Sequence, residues 1–200
     1  MEIIYDPKEN DKNKRNIINL KVVLLGEASM GKTTFVSRIS SNNYLKFLKE
    51  KEGIQPTPGG NYKNIIIKFK DRAFNLDLWE AAGNRRFCSL IKIFCKNANT
   101  ILIFYDPFDK SSFKRVDEIL FQIKNDGITN AILVLISNKY DKNMENINNE
   151  DIVSDEEALE YSDKQKLFFI HLSNFVKYET GINQILELIL NEYLKREKNL

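Results

Sequence analysis

One stretch, Gly26-Glu27-Ala28-Ser29-Met30-Gly31-Lys32-Thr33, constrains this chain more than any other. It follows the pattern G-x-x-x-x-G-K-[ST], in which glycines let backbone N–H groups close around phosphate oxygens. Before it, Leu20-Lys21-Val22-Val23-Leu24-Leu25 is an apolar, β-branched run suited to a buried parallel strand. After it, Thr33 to Ser41 carries few helix breakers, so a helix can begin on the loop with its N-terminus aimed at the phosphates. A plain glycine turn would need neither flank. The stretch therefore reads as a nucleotide site, with Gly26 through Thr33 as the cradle and Thr34 starting the helix. Lys32 is expected to bridge the β- and γ-phosphates as a point charge. The Thr33 hydroxyl is expected to ligate Mg²⁺, a hard cation that prefers oxygen.

The remaining pattern is that of an α/β domain. Residues 1–19 are polar and charged and read as a flexible N-terminal extension, leaving 20–200 as the folded domain. A long connection over 42–60 ends in Pro56-Thr57-Pro58-Gly59-Gly60, which excludes regular structure there. Two strands then alternate with period two. Ile65, Ile67 and Phe69 share one face of Tyr62–Lys70, and Phe74, Leu76 and Leu78 share one face of Ala73–Trp79. Lys70-Asp71-Arg72 is short enough to make them a hairpin. Tyr62 and Trp79 fall on the polar parity, an unusual place for large aromatics. A glycine-containing turn over Glu80 to Arg86 leads to a helix ending near Asn97.

Thr100–Tyr105 and Ala131–Ile136 read as buried strands, Ser111–Asn125 as an amphipathic helix, and Leu167–Ile170 as a last short strand. Ser154-Asp155-Glu156-Glu157 is a capping box that opens another helix, and Gly181–Arg196 closes the chain as a helix with one apolar stripe. Alternating strands and helices predict a three-layer α/β sandwich around a mostly parallel, six-stranded sheet.

Composition serves mainly to exclude. A formal charge of +2 on 200 residues gives no reason to expect a nucleic-acid partner. No apolar run approaches the ~20 residues needed to span a bilayer, and the N-terminus lacks a signal-peptide layout, so a cytoplasmic location is expected. Cys88 and Cys95 read as small apolar core residues, since a metal or redox role would need further ligands. The lone His171 reads as structural.

A second motif narrows the ligand. Asn138-Lys139-Tyr140-Asp141 follows the strand Ala131–Ile136, at the sheet edge where ligands of such folds bind. A carboxylate at Asp141 can accept two hydrogen bonds from the N1–H and N2–H₂ of guanine, which adenine cannot offer. The Lys139 stem would lie along the base and Asn138 would tie the loops together. N-K-x-D alone is a common polar turn; downstream of a phosphate loop and at a strand end it is specific.

With these two motifs the chain, from about Leu20 to Leu194, resembles a Ras-superfamily small GTPase, most like the Rab family, as a divergent member. Trp79-Glu80-Ala81-Ala82-Gly83-Asn84-Arg85-Arg86-Phe87 is similar to the family's W-D-T-A-G-Q-E-R-F. Phe94-Cys95-Lys96-Asn97-Ala98 stands where Rabs carry Y-Y-R-G-A, and Thr57-Pro58-Gly59-Gly60-Asn61-Tyr62 resembles T-I-G-V-D-F of switch I. The resemblance implies the small G domain of P-loop NTPases, binding GTP or GDP with Mg²⁺. It implies that Thr57 senses the γ-phosphate and the metal, that the Gly83 N–H touches the γ-phosphate, and that Tyr62, Trp79 and Phe94 form an effector surface. The aromatics could instead simply pack on one another. Effectors, an exchange factor and a GTPase-activating protein are the implied partners of a monomer.

The departures from the family pattern also carry expectations. Glu80 stands where an aspartate holds Mg²⁺ through water, and its extra methylene should crowd the ion. Asn84 replaces the glutamine that orients the attacking water and is one methylene shorter. Ser173-Asn174-Phe175 replaces S-A-K; the Asn174 N–H can still reach guanine O6, and Phe175 could cover the base edge. No prenylation cysteine ends the sequence given, so contact with endomembranes is expected only through partners.

The resulting expectation is a slow GTPase switch of vesicle trafficking, with Lys32, Thr57 and Asn84 in the catalytic roles. The alternative is a catalytically weak GTP-binding subunit or scaffold of a larger assembly, with nucleotide as a structural ligand. An ATP-dependent enzyme would share the phosphate loop, but Asp141 argues against it.

Overall fold

A computed structural model describes residues 2–4, 17–40, 59–84, 88–138, 149–172 and 181–198. In chain order these form β1 (Glu2–Ile4), β2 (Ile17–Gly26), α1 (Lys32–Ser40), β3 (Gly60–Phe69), β4 (Arg72–Ala81), α2 (Cys88–Cys95) and β5 (Thr100–Tyr105). They continue with α3 (Lys110–Asn125), β6 (Ile132–Asn138), a single 3₁₀ turn, α4 (Asp155–Gln165), β7 (Phe168–Leu172) and α5 (Ile182–Lys198).

The strands make one sheet in the order β1-β3-β4-β2-β5-β6-β7. The pairs β4/β2, β2/β5, β5/β6 and β6/β7 are parallel; β3/β4 and β1/β3 are antiparallel. The six expected strands are all present, and the sheet is mostly parallel. The count is corrected to seven: Glu2–Ile4 pairs with Ile66–Lys68 on the outer edge of β3. The extension 1–19 is corrected at both ends, since Glu2–Ile4 is a strand and β2 begins at Ile17. A bare strand edge offers a row of unpaired N–H and C=O groups, and β1 satisfies part of that row on β3.

Side-chain parity explains the three layers. From β2, Leu20, Val22 and Leu24 enter a core shared with Phe35, Val36 and Ile39 of α1 and with Ile185, Leu186 and Ile189 of α5. Val23 and Leu25 point the other way, into a core with Cys95 of α2 and Val116, Ile119 and Ile123 of α3. Strands buried on both faces read as unbroken apolar runs, which is why Thr100–Tyr105 is legible without alternation. On β3 and β4 one face is packed along its length, by Ile65, Ile67, Phe69, Phe74, Leu76 and Leu78, while the other reaches the second core only at Trp79 and Ala81. Their other face carries Tyr62, Asn75, Asp77 and Trp79.

Two helix starts show why the chain turns where it does. The Ser154 hydroxyl accepts from the Glu157 N–H, as the capping box requires. Asp109 caps α3, its carboxylate accepting from the N–H groups of Ser111 and Ser112 at 3.0 and 3.3 Å. The tops of β2, β4 and β6 deliver the phosphate loop, the Glu80–Asn84 segment and Asn138 to one end of the sheet. Among the described residues no helix is long and apolar enough to cross a membrane.

Candidate nucleotide site

The phosphate loop leaves β2 at Gly26 and ends on the first turn of α1. Gly26 has a φ of 132°, and a Cβ there would lie 2.4 Å from the Phe104 carbonyl oxygen of β5. Only glycine allows the loop to start this close to the neighbouring strand. Lys32 opens α1 and folds back over the loop. Its ammonium donates to the carbonyls of Gly26 and Glu27 at 2.8 and 2.6 Å, and the residue is 5% exposed. Desolvation pushes the Lys32 pKa down to about 8, against the opposing pull of Glu80 and Glu27.

Thr33, one residue on, donates its hydroxyl to the carboxylate of Glu80. Glu80 is in β4, in register with Leu24, and is buried. The expected turn over Glu80 to Arg86 is therefore corrected at its start: Glu80 and Ala81 finish the strand. Hydroxyl and carboxylate oxygens meeting at the base of the loop are the hard donors that suit Mg²⁺. The two groups touch directly.

Asn138, at the end of β6, donates its side-chain amide to the Met30 carbonyl at 2.6 Å, a buried bond that ties β6 to the phosphate loop. Gly83 lies flat on the loop from the other side. A Cβ on it would sit 2.1 Å from the Ala28 nitrogen and 2.2 Å from the Glu27 carbonyl carbon, a cradle that any side chain would fill. Asn84 follows, exposed at the rim of a cleft of about 10 Å³ bordered by Gly26, Gly83, Ile91 and Arg115. Arg115, from α3, is a residue that motif reading missed. Its only sequence signal is a charge in phase with the apolar stripe of its helix.

The structure brings the three aromatics together. Tyr62 and Trp79 are directly opposite on β3 and β4, with ring centroids 4.9 Å apart, and Trp79 meets Phe94 of α2 at 6.0 Å. Tyr62 is 48% exposed and donates its hydroxyl to Asp77 at 2.7 Å. Thr57, Lys139, Asp141, Ser173, Asn174 and Phe175 lie outside the described residues. Cys95 is buried with its thiol pushed up to about 12 by desolvation, as a core residue should be.

A family model for the Ras family matches residues 21–195. The chain belongs to that family. The GTP-binding protein YPT52 of Saccharomyces cerevisiae is 27% identical, covering 86% of this chain and 80% of its own length. Ras-related protein Rab-17 of Homo sapiens is 27% identical over 88% of this chain and 77% of its own. Ras-related protein Rab5 of Nicotiana tabacum is 27% identical over 86% and 80%. The chain is thus a Rab-like small GTPase with the α/β fold of the small G domain. The small GTPase carries the G-x-x-x-x-G-K-T loop at Gly26–Thr33 within the matched residues.

Proposed function

We propose that this GTPase is a GTP/GDP switch of membrane trafficking that holds nucleotide well, hydrolyses GTP slowly, and recruits effectors through Tyr62, Trp79 and Phe94. The observation that carries the reading is the direct contact between the Thr33 hydroxyl and the Glu80 carboxylate. An aspartate would stop one methylene short and leave more room between the two groups. Thr33, with Thr57 and with Glu80 acting through water, would hold Mg²⁺, which supplies charge neutralisation at the phosphates when bound.

The chain's own residues do the rest. The Lys32 ammonium exchanges two carbonyl partners for phosphate oxygens and offsets the charge that develops on them. The loop's backbone N–H groups, Gly26 through Thr34, orient the phosphates, and the Gly83 N–H meets the terminal one. Asp141 with Lys139 reads guanine, and Ser173, Asn174 and Phe175 close over the base. Asn84 directs water less well than glutamine, so a partner supplying that group restores the rate. An exchange factor, a GTPase-activating protein and effectors complete the cycle, in the cytoplasm or peripherally on endomembranes.

A second reading, a GTP-binding subunit with nucleotide as a structural ligand, draws on the same Thr33–Glu80 contact. Single-turnover GTP hydrolysis, with and without a Rab-type activating protein, separates the two. Acceleration by the activating protein is expected. No acceleration, with GTP copurifying, would replace the switch by the structural role.

A further inference from the structure

Helix α3 packs its stripe of Phe113, Val116, Ile119, Leu120 and Ile123 into the core. Arg115 lies on the same side, four residues before Ile119 and three after Ser112, and its side chain is 10% exposed. An arginine keeps its charge under all ordinary conditions, and burying a charge costs several kcal/mol unless it is well paired. Its guanidinium pairs with Glu118, whose side chain is 49% exposed. For stability alone, an apolar side chain at this place would serve as well or better.

What Arg115 borders gives it a use. The cleft beside it is walled by Gly26 of the phosphate loop and by Gly83 and Asn84 of the segment that lies on that loop. At about 10 Å³ the cleft is far below the ~300 Å³ of a small-molecule site, so its occupants are the walls themselves. Arg115 and the Gly83–Asn84 turn line the same cleft, and a guanidinium carries five donors where a glycine-containing turn has backbone carbonyls to offer.

We propose that Arg115 is a positioning residue: from α3 it holds the Gly83–Asn84 segment against the phosphate loop and so sets how well the short Asn84 is presented for hydrolysis. The inference rests on the switch reading above and deepens it. Glutamine has reach to spare, whereas asparagine has none, so the placement of its backbone decides whether it acts at all. A displacement of about 1 Å at such a point costs up to about a hundredfold in rate.

The test uses the full chain and two variants. Arg115→Met keeps the stem and removes the fork; Arg115→Lys keeps the charge on a different geometry. Trp79, the only tryptophan, stands four residues before Gly83 and reports on the segment. Three quantities are read: single-turnover hydrolysis, the Trp79 fluorescence difference between GDP and a non-hydrolysable GTP analogue, and GDP release with thermal unfolding. In Arg115→Met, hydrolysis is expected to fall about tenfold and the Trp79 difference to vanish, while GDP release stays within about twofold and the melting temperature does not drop. Arg115→Lys recovers part of both.

Arg115→Met with hydrolysis and fluorescence like a responsive wild type overturns the positioning role alone. So does a rate that falls only in step with GDP retention and melting temperature, which is what a purely structural residue would give. A wild type that binds GTP yet neither hydrolyses it nor changes Trp79 overturns the switch reading, and the positioning role falls with it.

Discussion

Lys32 makes the nucleotide-free protein gain stability as the pH rises, which is the reverse of what most exposed lysines do. Its pKa falls from an ordinary 10.5 to about 8 because the ammonium is almost fully desolvated over the loop. At about 1.4 kcal/mol per unit, keeping the proton there costs the folded state about 3 kcal/mol at neutral pH. Between about 8 and 10.5 the unfolded chain binds the proton and the folded chain does not, so stability rises with pH in that window and is lowest below it. Integrated from pH 7 to 9 the gain is on the order of 1 kcal/mol.

Cys95 opposes it: its thiol, raised from 9.0 to about 12, stays protonated in the fold while the unfolded chain ionises, so stability falls above pH 9. At pH 9 that loss is a fraction of a kcal/mol, smaller than the gain from Lys32. Urea unfolding of EDTA-stripped protein at pH 7, 8 and 9, followed by Trp79 fluorescence, measures this directly. Lys32→Met removes the titrating group and should show only the small loss from Cys95. Equal pH slopes in the two proteins would refute the reasoning. Phosphate raises the Lys32 pKa again, so GDP affinity should weaken above pH 8 by up to about tenfold per unit.

Three further outcomes follow from the geometry. Gly83→Ala places a methyl 2.1 Å from the Ala28 nitrogen, so the segment must lift from the loop; the Trp79 difference between GDP and a GTP analogue should disappear while GDP still binds. Glu80→Asp removes one buried methylene at a cost of about 1 kcal/mol in chemical unfolding. By drawing the carboxylate back from Thr33 it should slow GDP release in Mg²⁺ relative to EDTA; an unchanged ratio counts against crowding of the ion. Tyr62→Ala loses a surface hydrogen bond and a ring contact, so its stability should fall by no more than about 1–2 kcal/mol. GDP affinity should hold while calorimetric binding of a Rab effector to the GTP-loaded form is lost.

Most of the scaffold is legible in the sequence because each element announces itself locally. Thr100–Tyr105 is bounded as its apolar run suggests, and Ser154 caps α4 as its box requires. The phosphate loop follows from spacing alone. The strand at Glu2–Ile4 does not, because it is three residues in a charged context and its pairing depends on the exposed edge of β3, a tertiary property. Glu80 is a different case. Phe74, Leu76 and Leu78 point into the core, and the same parity carried one step further places Glu80 there too. Treating a glutamate after an apolar run as the start of a turn ends β4 two residues early and hides how the carboxylate reaches Thr33.

That parity separates the two departures from the family in kind. Glu80 is held by strand register beneath the loop, 2% exposed, where no partner protein can reach or replace it. Asn84 is exposed at the rim, where a partner's side chain can do the work it does poorly. On the reading proposed above, the way this GTPase retains nucleotide and metal is therefore intrinsic to its sheet, and the rate at which it hydrolyses GTP is left to whatever binds over Asn84. Restoring Asn84→Gln should raise the unassisted rate and leave metal-dependent GDP release as it was. Glu80→Asp should slow GDP release in Mg²⁺ and, by relieving the crowded ion, also lift the unassisted rate, and the double variant should combine the slower release with a rate above either single variant.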